Sequence, residues 1–202
     1  MKEHRNLWWP DFEHNPEELF KYMLRRVTDV DVAMQHVRTK GVAVQAGGYI
    51  GLWPRRLAKF FELVYTFEPV PELFECLKLN TDRYCPGVIA TNALLGPSSG
   101  TAQYVMKSGG RTTAINGGDR HAGQYCIDEL DLVRCDAIYL DVERYELEVL
   151  KGAEETIRKF KPVVTLEVKE DTQQEFTDFM RARGYSLAAK VHADAVYVPI
   201  AK

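Results

Sequence analysis

Gln45-Ala46-Gly47-Gly48-Tyr49-Ile50-Gly51 closes an apolar run that begins at Val42, and a second apolar run follows and ends in an acid, Glu68. The order reads as strand, glycine-rich turn, helix, and second strand ending in a carboxylate. Glycines let backbone approach a ligand closely, a helix N-terminus faces it, and a carboxylate at the next strand's end holds ribose hydroxyls. The stretch 42–80 therefore predicts a nucleotide-like cofactor site. Which cofactor it takes decides the function.

Outward from this stretch the pattern alternates. Strands are expected at 42–46, 63–67, 88–91, 137–141 and 163–168. Helices are expected at 51–61, at 71–80 with Leu73, Phe74 and Leu77 inward, and as one helix carrying Leu147, Leu150 and Ile157. Such alternation implies parallel strands covered by helices on both faces. A helix over 172–183 is capped by Gly184, and strand-like runs at 185–189 and 195–199 make a closing antiparallel hairpin. The expectation is a mostly parallel seven-stranded α/β sheet, Rossmann-like, occupying residues 41–202.

Residues 1–40 read as an N-terminal helical extension. Asn15 caps a helix with Pro16 at its first position and Glu17 and Glu18 at the positive end of the dipole. Leu19, Phe20, Met23 and Val27 form its apolar stripe. A second helix is expected over 31–38 and is ended by Gly41. Trp8-Trp9-Pro10 anchors the extension on the core, the alternative being a cover over a ligand. Residues 96–132 interrupt the alternation with Gly100, Gly109, Gly110, Gly117, Gly118 and Gly123 around a β-like run at 102–106, and read as a substrate-facing excursion.

Composition narrows the classes. The chain has 202 residues, 46% of them hydrophobic, enough for one sizeable core. A net charge of -3 and a pI near 6.0 leave no electrostatic footprint for nucleic acid. Cys76, Cys85, Cys126 and Cys135 form no C-x-x-C pair and have no histidines at zinc spacing, so neither a structural metal nor a redox pair is expected. The N-terminus lacks a signal-peptide core and no run reaches membrane-spanning length, so a soluble cytoplasmic protein is expected.

Two cofactors compete for the turn. Ala46-x-Gly48-x-x-Gly51, with Glu68 about 20 residues on, resembles a dinucleotide fingerprint lacking its first glycine, as NAD binding would want. The closing hairpin favours S-adenosylmethionine, because methyltransferases add a terminal antiparallel strand where a dinucleotide domain finishes with parallel ones.

The chain resembles the FkbM family of S-adenosylmethionine-dependent methyltransferases over residues 42–170. The resemblance lies in Val44 to Gly51, in Phe67-Glu68-Pro69-Val70-Pro71 with Leu77 and Asn80, and in Ile127-Asp128-Glu129-Leu130. It continues through Leu140-Asp141-Val142-Glu143-Arg144-Tyr145-Glu146, Val149-Leu150-Lys151-Gly152-Ala153 and the run 162–167. It implies a class I methyltransferase fold, S-adenosylmethionine as cofactor, and methyl transfer to oxygen on a sugar or other small acceptor. The family usually shows aspartate where Gln45 stands, asparagine where Tyr49 stands and glycine where Arg144 stands. Gln45 offers the cofactor a hydrogen bond but no carboxylate for its ammonium group. Arg144 is expected to place a cation beside the reaction centre.

The resulting cofactor residues are Gln45, Gly47, Gly48, Tyr49, Gly51, Glu68 toward the ribose, Asn92 and Ala93 toward the adenine, and Asp141. The expected catalytic residues are Asp141, Glu143 and His121. Methyl transfer to oxygen is an in-line displacement in which the protein aligns a hydroxyl and accepts its proton, and a carboxylate at the sheet's carboxyl edge does both. The blander readings are that Asp141 caps the next helix, that Glu143 and Glu146 favour its first turn, that Asn92 is an ordinary turn residue and that His121 is plain surface. Glu167 ends the fifth strand either as part of an acidic rim or as a paired structural carboxylate, and the spacing of Asp141, Glu143 and Glu167 does not demand a metal. A small-molecule or glycan acceptor is the expected partner. A nicotinamide oxidoreductase and a non-catalytic module derived from a methyltransferase stand as the alternatives.

Overall fold

The computed structural model describes residues 1–107, 112–114 and 117–200. The first forty residues begin with a two-stranded hairpin, β1 (Lys2–His4) and β2 (Leu7–Trp9), ahead of the expected helices. Helix α1 (Pro16–Val27) starts as its residues dictate: the Asn15 side chain accepts from the Glu18 amide at 3.4 Å, and Met23 and Val27 are buried. Helix α2 (Asp29–Met34) begins and ends earlier than the expected 31–38. Its end tightens through i→i+3 bonds from Gln35 and His36 to Val32 and Ala33. Gly41 is no helix cap; its missing side chain lets the Arg134 guanidinium lie against it, and its amide and that of Val42 both donate to Asp136 at 2.9 Å.

Trp9 is fully buried and Trp8 lies at the surface. Asn80, buried on a later helix, fastens the hairpin: its Oδ1 accepts from Trp8 N at 2.7 Å, and its Nδ2 donates to Trp8 O and Ile50 O at 2.9 and 2.8 Å.

The central elements follow in alternation: β3 (Val42–Ala46), α3 (Leu52–Leu57), β4 (Leu63–Phe67), α4 (Pro71–Thr81) and β5 (Val88–Thr91). After a four-strand excursion come β10 (Ala137–Leu140), α5 (Glu146–Lys151), α6 (Glu154–Phe160), β11 (Val163–Glu167), α7 (Gln173–Ala182), β12 (Tyr185–Val191) and β13 (Asp194–Pro199). The main sheet has the order β12-β13-β11-β10-β3-β4-β5. Five neighbouring strands are parallel, whereas β13 runs antiparallel to β11 and to β12. β3 lies in the middle and is buried at every position, which is why it reads as an unbroken apolar run around a single glutamine.

Two expectations are corrected. The single helix carrying Leu147 and Ile157 is two helices, because Gly152 packs against Gly96 so closely that a Cβ would sit 2.1 Å from the Gly96 carbonyl oxygen. The Gly152 carbonyl accepts from Asp128 N and Cys126 Sγ, while the Asp128 carboxylate accepts from the amides of Glu155 and Thr156 and caps α6 from a distance. The excursion is itself a sheet, of order β6-β9-β7-β8, formed by β6 (Leu94–Leu95), β7 (Gly100–Met106), β8 (Thr112–Ala114) and β9 (Arg120–Tyr125), followed by a 3-10 turn at Ile127–Glu129. The expected run 102–106 lies inside β7; Gly109 and Gly110 fall outside the described residues.

Candidate active site

At the carboxyl edge of the parallel strands lies a cavity of about 630 Å³, within the range of small-molecule sites. The turn after β3 forms one wall. Gly47 has φ +81°, and a Cβ there would lie 1.9 Å from the Asp141 carbonyl oxygen, so only glycine lets the turn press against the end of β10. The amides of Gly47 and Gly48 donate to the Phe67 carbonyl at 3.1 and 3.0 Å, which fixes the turn against β4.

Glu68 ends β4 and lines the cavity, yet is only 4% exposed. Its two carboxylate oxygens accept from Tyr49 N at 2.8 Å and Val70 N at 2.9 Å. Burial pushes its pKa up to about 8 against the pull of those two amides. Each oxygen keeps a lone pair for a ligand hydroxyl. Phe67, Pro69, Ala93, Leu94 and Leu95 give this end apolar walls.

Across the turn, Asp141 sits on the cavity floor, and its carboxyl is held well above the usual carboxylate range by burial and then by the like charges of Glu167, Asp194, Glu143 and Glu146. Glu143 also lines the cavity, with φ +51°. The loop that presents both acids is pinned by Glu146, buried at 2%, whose carboxylate accepts from Val142 N at 3.0 Å and Arg144 N at 3.4 Å. Burial raises the Glu146 pKa to about 6. Glu167 reaches the same space and pairs with Lys169 at 2.6 Å.

The structure thus brings Gly47, Tyr49, Glu68, Ala93, Asp141, Glu143 and Glu167 to one cavity. Gly48 and Gly51 shape the turn without lining it: a Cβ on Gly48 would meet Leu77 at 2.3 Å, and Gly51 precedes α3 at φ +98°. Gln45 is fully buried and turned inward; its Nε2 donates to the carbonyls of Ala46 and Gly47 at 2.9 Å each, and its Oε1 accepts from Thr66. Asn92 is exposed and donates to the carbonyls of Glu68 and Pro69 at 2.8 and 3.1 Å. His121 is exposed on β9, 3.1 Å from Gln103 Nε2, and away from the cavity. Arg144 does not put its charge in the site: it is exposed and paired with Asp171 at 2.9 Å.

Helix α1, within the N-terminal extension, supplies a wall whose individual residues sequence reasoning did not single out. Glu18, Leu19, Tyr22, Met23 and Arg26 all face the cavity, and Glu13 and Asn15 sit at the helix start. The signal was the i, i+4, i+8 spacing of Glu18, Tyr22 and Arg26, which shares one helix face. Arg26 joins this wall to the sheet, donating to Asp29 at 3.1 Å and to Asp194 at 3.3 Å; Asp194 also accepts from Tyr139 OH, to which Trp53 Nε1 donates at 3.2 Å.

Residues 45–187 match the sequence model of the methyltransferase FkbM domain. No match is found among the curated proteins. Among solved structures, the chain is similar to a methyltransferase FkbM from Methylobacillus flagellatus KT, with TM-score 0.64, 19% identity, and 79% of this chain covered. The match spans 43% of that protein's length. It is also similar to the magnesium protoporphyrin IX methyltransferase of Synechocystis PCC 6803 with bound SAM, with TM-score 0.58, 11% identity, and coverage of 93% of this chain and 84% of that one. A ribosomal protein L11 methylase from Lactobacillus delbrueckii subsp. bulgaricus follows, with TM-score 0.59, 7% identity and coverage of 89% and 80%. The fold is the α/β class I methyltransferase fold.

Proposed function

Because the chain belongs to the FkbM methyltransferase family, we propose that it transfers a methyl group from S-adenosylmethionine to a hydroxyl oxygen of a sugar or other small hydroxylated acceptor. The observation that carries this reading is the single cavity shared by the Gly47 turn, the Glu68 carboxylate and the acidic floor at Asp141. The residues fit the cofactor. Glu68 has acceptor capacity left for two ribose hydroxyls, the apolar wall at Phe67, Ala93 and Leu94 suits an adenine, and Asp141 supplies the carboxylate that Gln45 lacks for the ammonium group.

When bound, S-adenosylmethionine supplies an electrophilic methyl on a sulfonium and leaves as S-adenosylhomocysteine. Asp141 and Glu143 orient the acceptor hydroxyl and take its proton as the oxygen gains the methyl. Burial and four neighbouring acids raise the Asp141 pKa and favour its protonated form, and a cation in the cavity relieves that repulsion and restores the carboxylate that accepts the proton.

The test pairs calorimetry with turnover. S-adenosylmethionine is expected to bind and NAD to fail, in line with the antiparallel β13 where a nicotinamide domain wants a parallel strand. Labelled methyl transfer is then measured on a panel of glycans and hydroxylated metabolites, and Asp141→Asn is expected to lower kcat by about 10²–10⁴ and to weaken S-adenosylmethionine binding at its ammonium end. Binding of NAD alone defeats the reading. Binding of S-adenosylmethionine without turnover on any acceptor favours a non-catalytic module.

A further inference from the structure

Helix α1 lies ahead of the matched family domain, yet its residues line the same cavity as the glycine turn. Its central residue is Tyr22, an aromatic side chain 50% exposed at the cavity. Exposed tyrosines are ordinarily loose, but this one is held. Arg26 Nη1 donates to its hydroxyl at 3.2 Å, and the guanidinium carbon lies 6.0 Å from its ring centroid. Arg26 is itself only 15% exposed and is locked by Asp29 and by Asp194 of β13. An aromatic ring bonded to a part-buried arginine is thereby presented to the ligand space from a helix tied to the sheet.

One turn earlier on the same face stands Glu18, and Glu13 precedes the helix. Glu18 accepts from Asn15 Nδ2 at 2.7 Å and keeps acceptor capacity beyond that bond. The Arg26 charge is offset by its two carboxylate partners, so this wall is acidic toward a ligand. An aromatic face beside a hydrogen-bond-accepting carboxylate suits a ring with an apolar C–H face and peripheral hydroxyls, which is the surface of a pyranose.

We propose that Tyr22 is the stacking platform for a pyranose ring of the acceptor, with Glu18 accepting from one of its hydroxyls and Arg26 acting as the positioning residue that holds the tyrosine. The proposal rests on the methyltransferase reading for the word acceptor, and it adds the ring class and its sign: neutral or amine-bearing sugars are admitted, and a sugar carboxylate is repelled by Glu13 and Glu18.

The experiment uses the full chain loaded with S-adenosylhomocysteine. Methyl glucoside, methyl glucosaminide and methyl glucuronide are titrated separately and followed by saturation-transfer NMR. The first two are expected to bind through one ring face and the glucuronide to fail. Tyr22→Ala is expected to weaken glucoside binding about tenfold, and Tyr22→Phe and Arg26→Met to weaken it less and alike, because each keeps the ring and loses the bond that holds it. S-adenosylhomocysteine affinity is expected to be unchanged in all three variants, which separates a lost platform from a damaged fold. The platform is refuted if Tyr22→Ala binds glucoside like wild type, or if no glycoside binds while S-adenosylhomocysteine does; the second outcome leaves the methyltransferase reading standing. Equal binding of the glucuronide refutes the assigned sign. Failure of S-adenosylhomocysteine to bind, with glycosides still bound through Tyr22, defeats the methyltransferase reading alone.

Discussion

Gly47→Ala separates two costs that usually travel together. The first is conformational: φ at Gly47 is +81°, a region that costs a residue with a side chain about 1–2 kcal/mol. The second is steric. The new methyl would lie 1.9 Å from the Asp141 carbonyl oxygen, against an ordinary contact of about 3.4 Å, and the obstacle is backbone rather than a side chain that can swing away. Relieving the overlap moves the end of β10 or the turn itself at about 1–3 kcal/mol, so the expected total is about 3 kcal/mol. Gly184 is the control, because its φ is +78° and nothing lies within 4 Å of an added Cβ. Gly184→Ala should therefore cost about 1 kcal/mol. Urea unfolding followed by circular dichroism measures both, and for a chain of this size each kcal/mol lowers the melting midpoint by about 2–4 °C. Equal destabilisation of the two variants would refute the close packing of the turn on Asp141. Unaltered S-adenosylmethionine affinity in Gly47→Ala would refute the placement of the cofactor at that contact.

Further outcomes follow from the same geometry. Asn80→Ala strands the Trp8 amide and the carbonyls of Trp8 and Ile50, and should cost about 2–3 kcal/mol in urea unfolding, with the N-terminal hairpin becoming the first site of limited proteolysis. Glu68 has a folded pKa of about 8 against an ordinary 4.5. Its contribution is therefore fully present below pH 4.5 and is lost as pH rises through 8, so wild type should lose stability relative to Glu68→Gln across that window, as read from paired pH-dependent unfolding curves. His121→Ala should leave methyl transfer within about twofold of wild type, where removal of a general base would cost about 10²–10⁴, because the imidazole lies outside the cavity.

The strands were legible because short runs of apolar and β-branched residues admit little else, and 42–46, buried at every position, 63–67, and the edge strand 88–91 fall where the sequence places them. What escaped depends on partners distant in the chain. Whether a glutamine near the end of a buried strand faces a ligand or its own turn is decided by Thr66 on the neighbouring strand. The break between α5 and α6 is decided by the approach of Gly96, more than fifty residues upstream of Gly152. The excursion hid its sheet because polar, glycine-rich strands carry weak alternation. The departures at Tyr49 and Arg144 acquire a physical meaning only with backbone angles: φ is +47° and +77°, the left-handed region that the family's asparagine and glycine adopt most readily.

The base of the excursion carries a consequence for how such a protein diversifies. β6 pairs with β9 through Leu94 with Gln124 and Leu95 with Tyr125, and Gln124 reaches back to Ser98 O at 2.7 Å. The segment thus leaves and rejoins the domain at one riveted point, and loop-closure cost grows only slowly with the length enclosed. The excursion also packs back on the body, with Tyr104 and Ala114 buried in the core and Thr113 Oγ1 donating to Glu143 O at 3.2 Å, so insertions are cheap at its exposed positions and costly at these contacts. Descendants of such a chain inherit the Glu68 and Asp141 end of the cavity unchanged, with variation confined to the exposed part of the excursion.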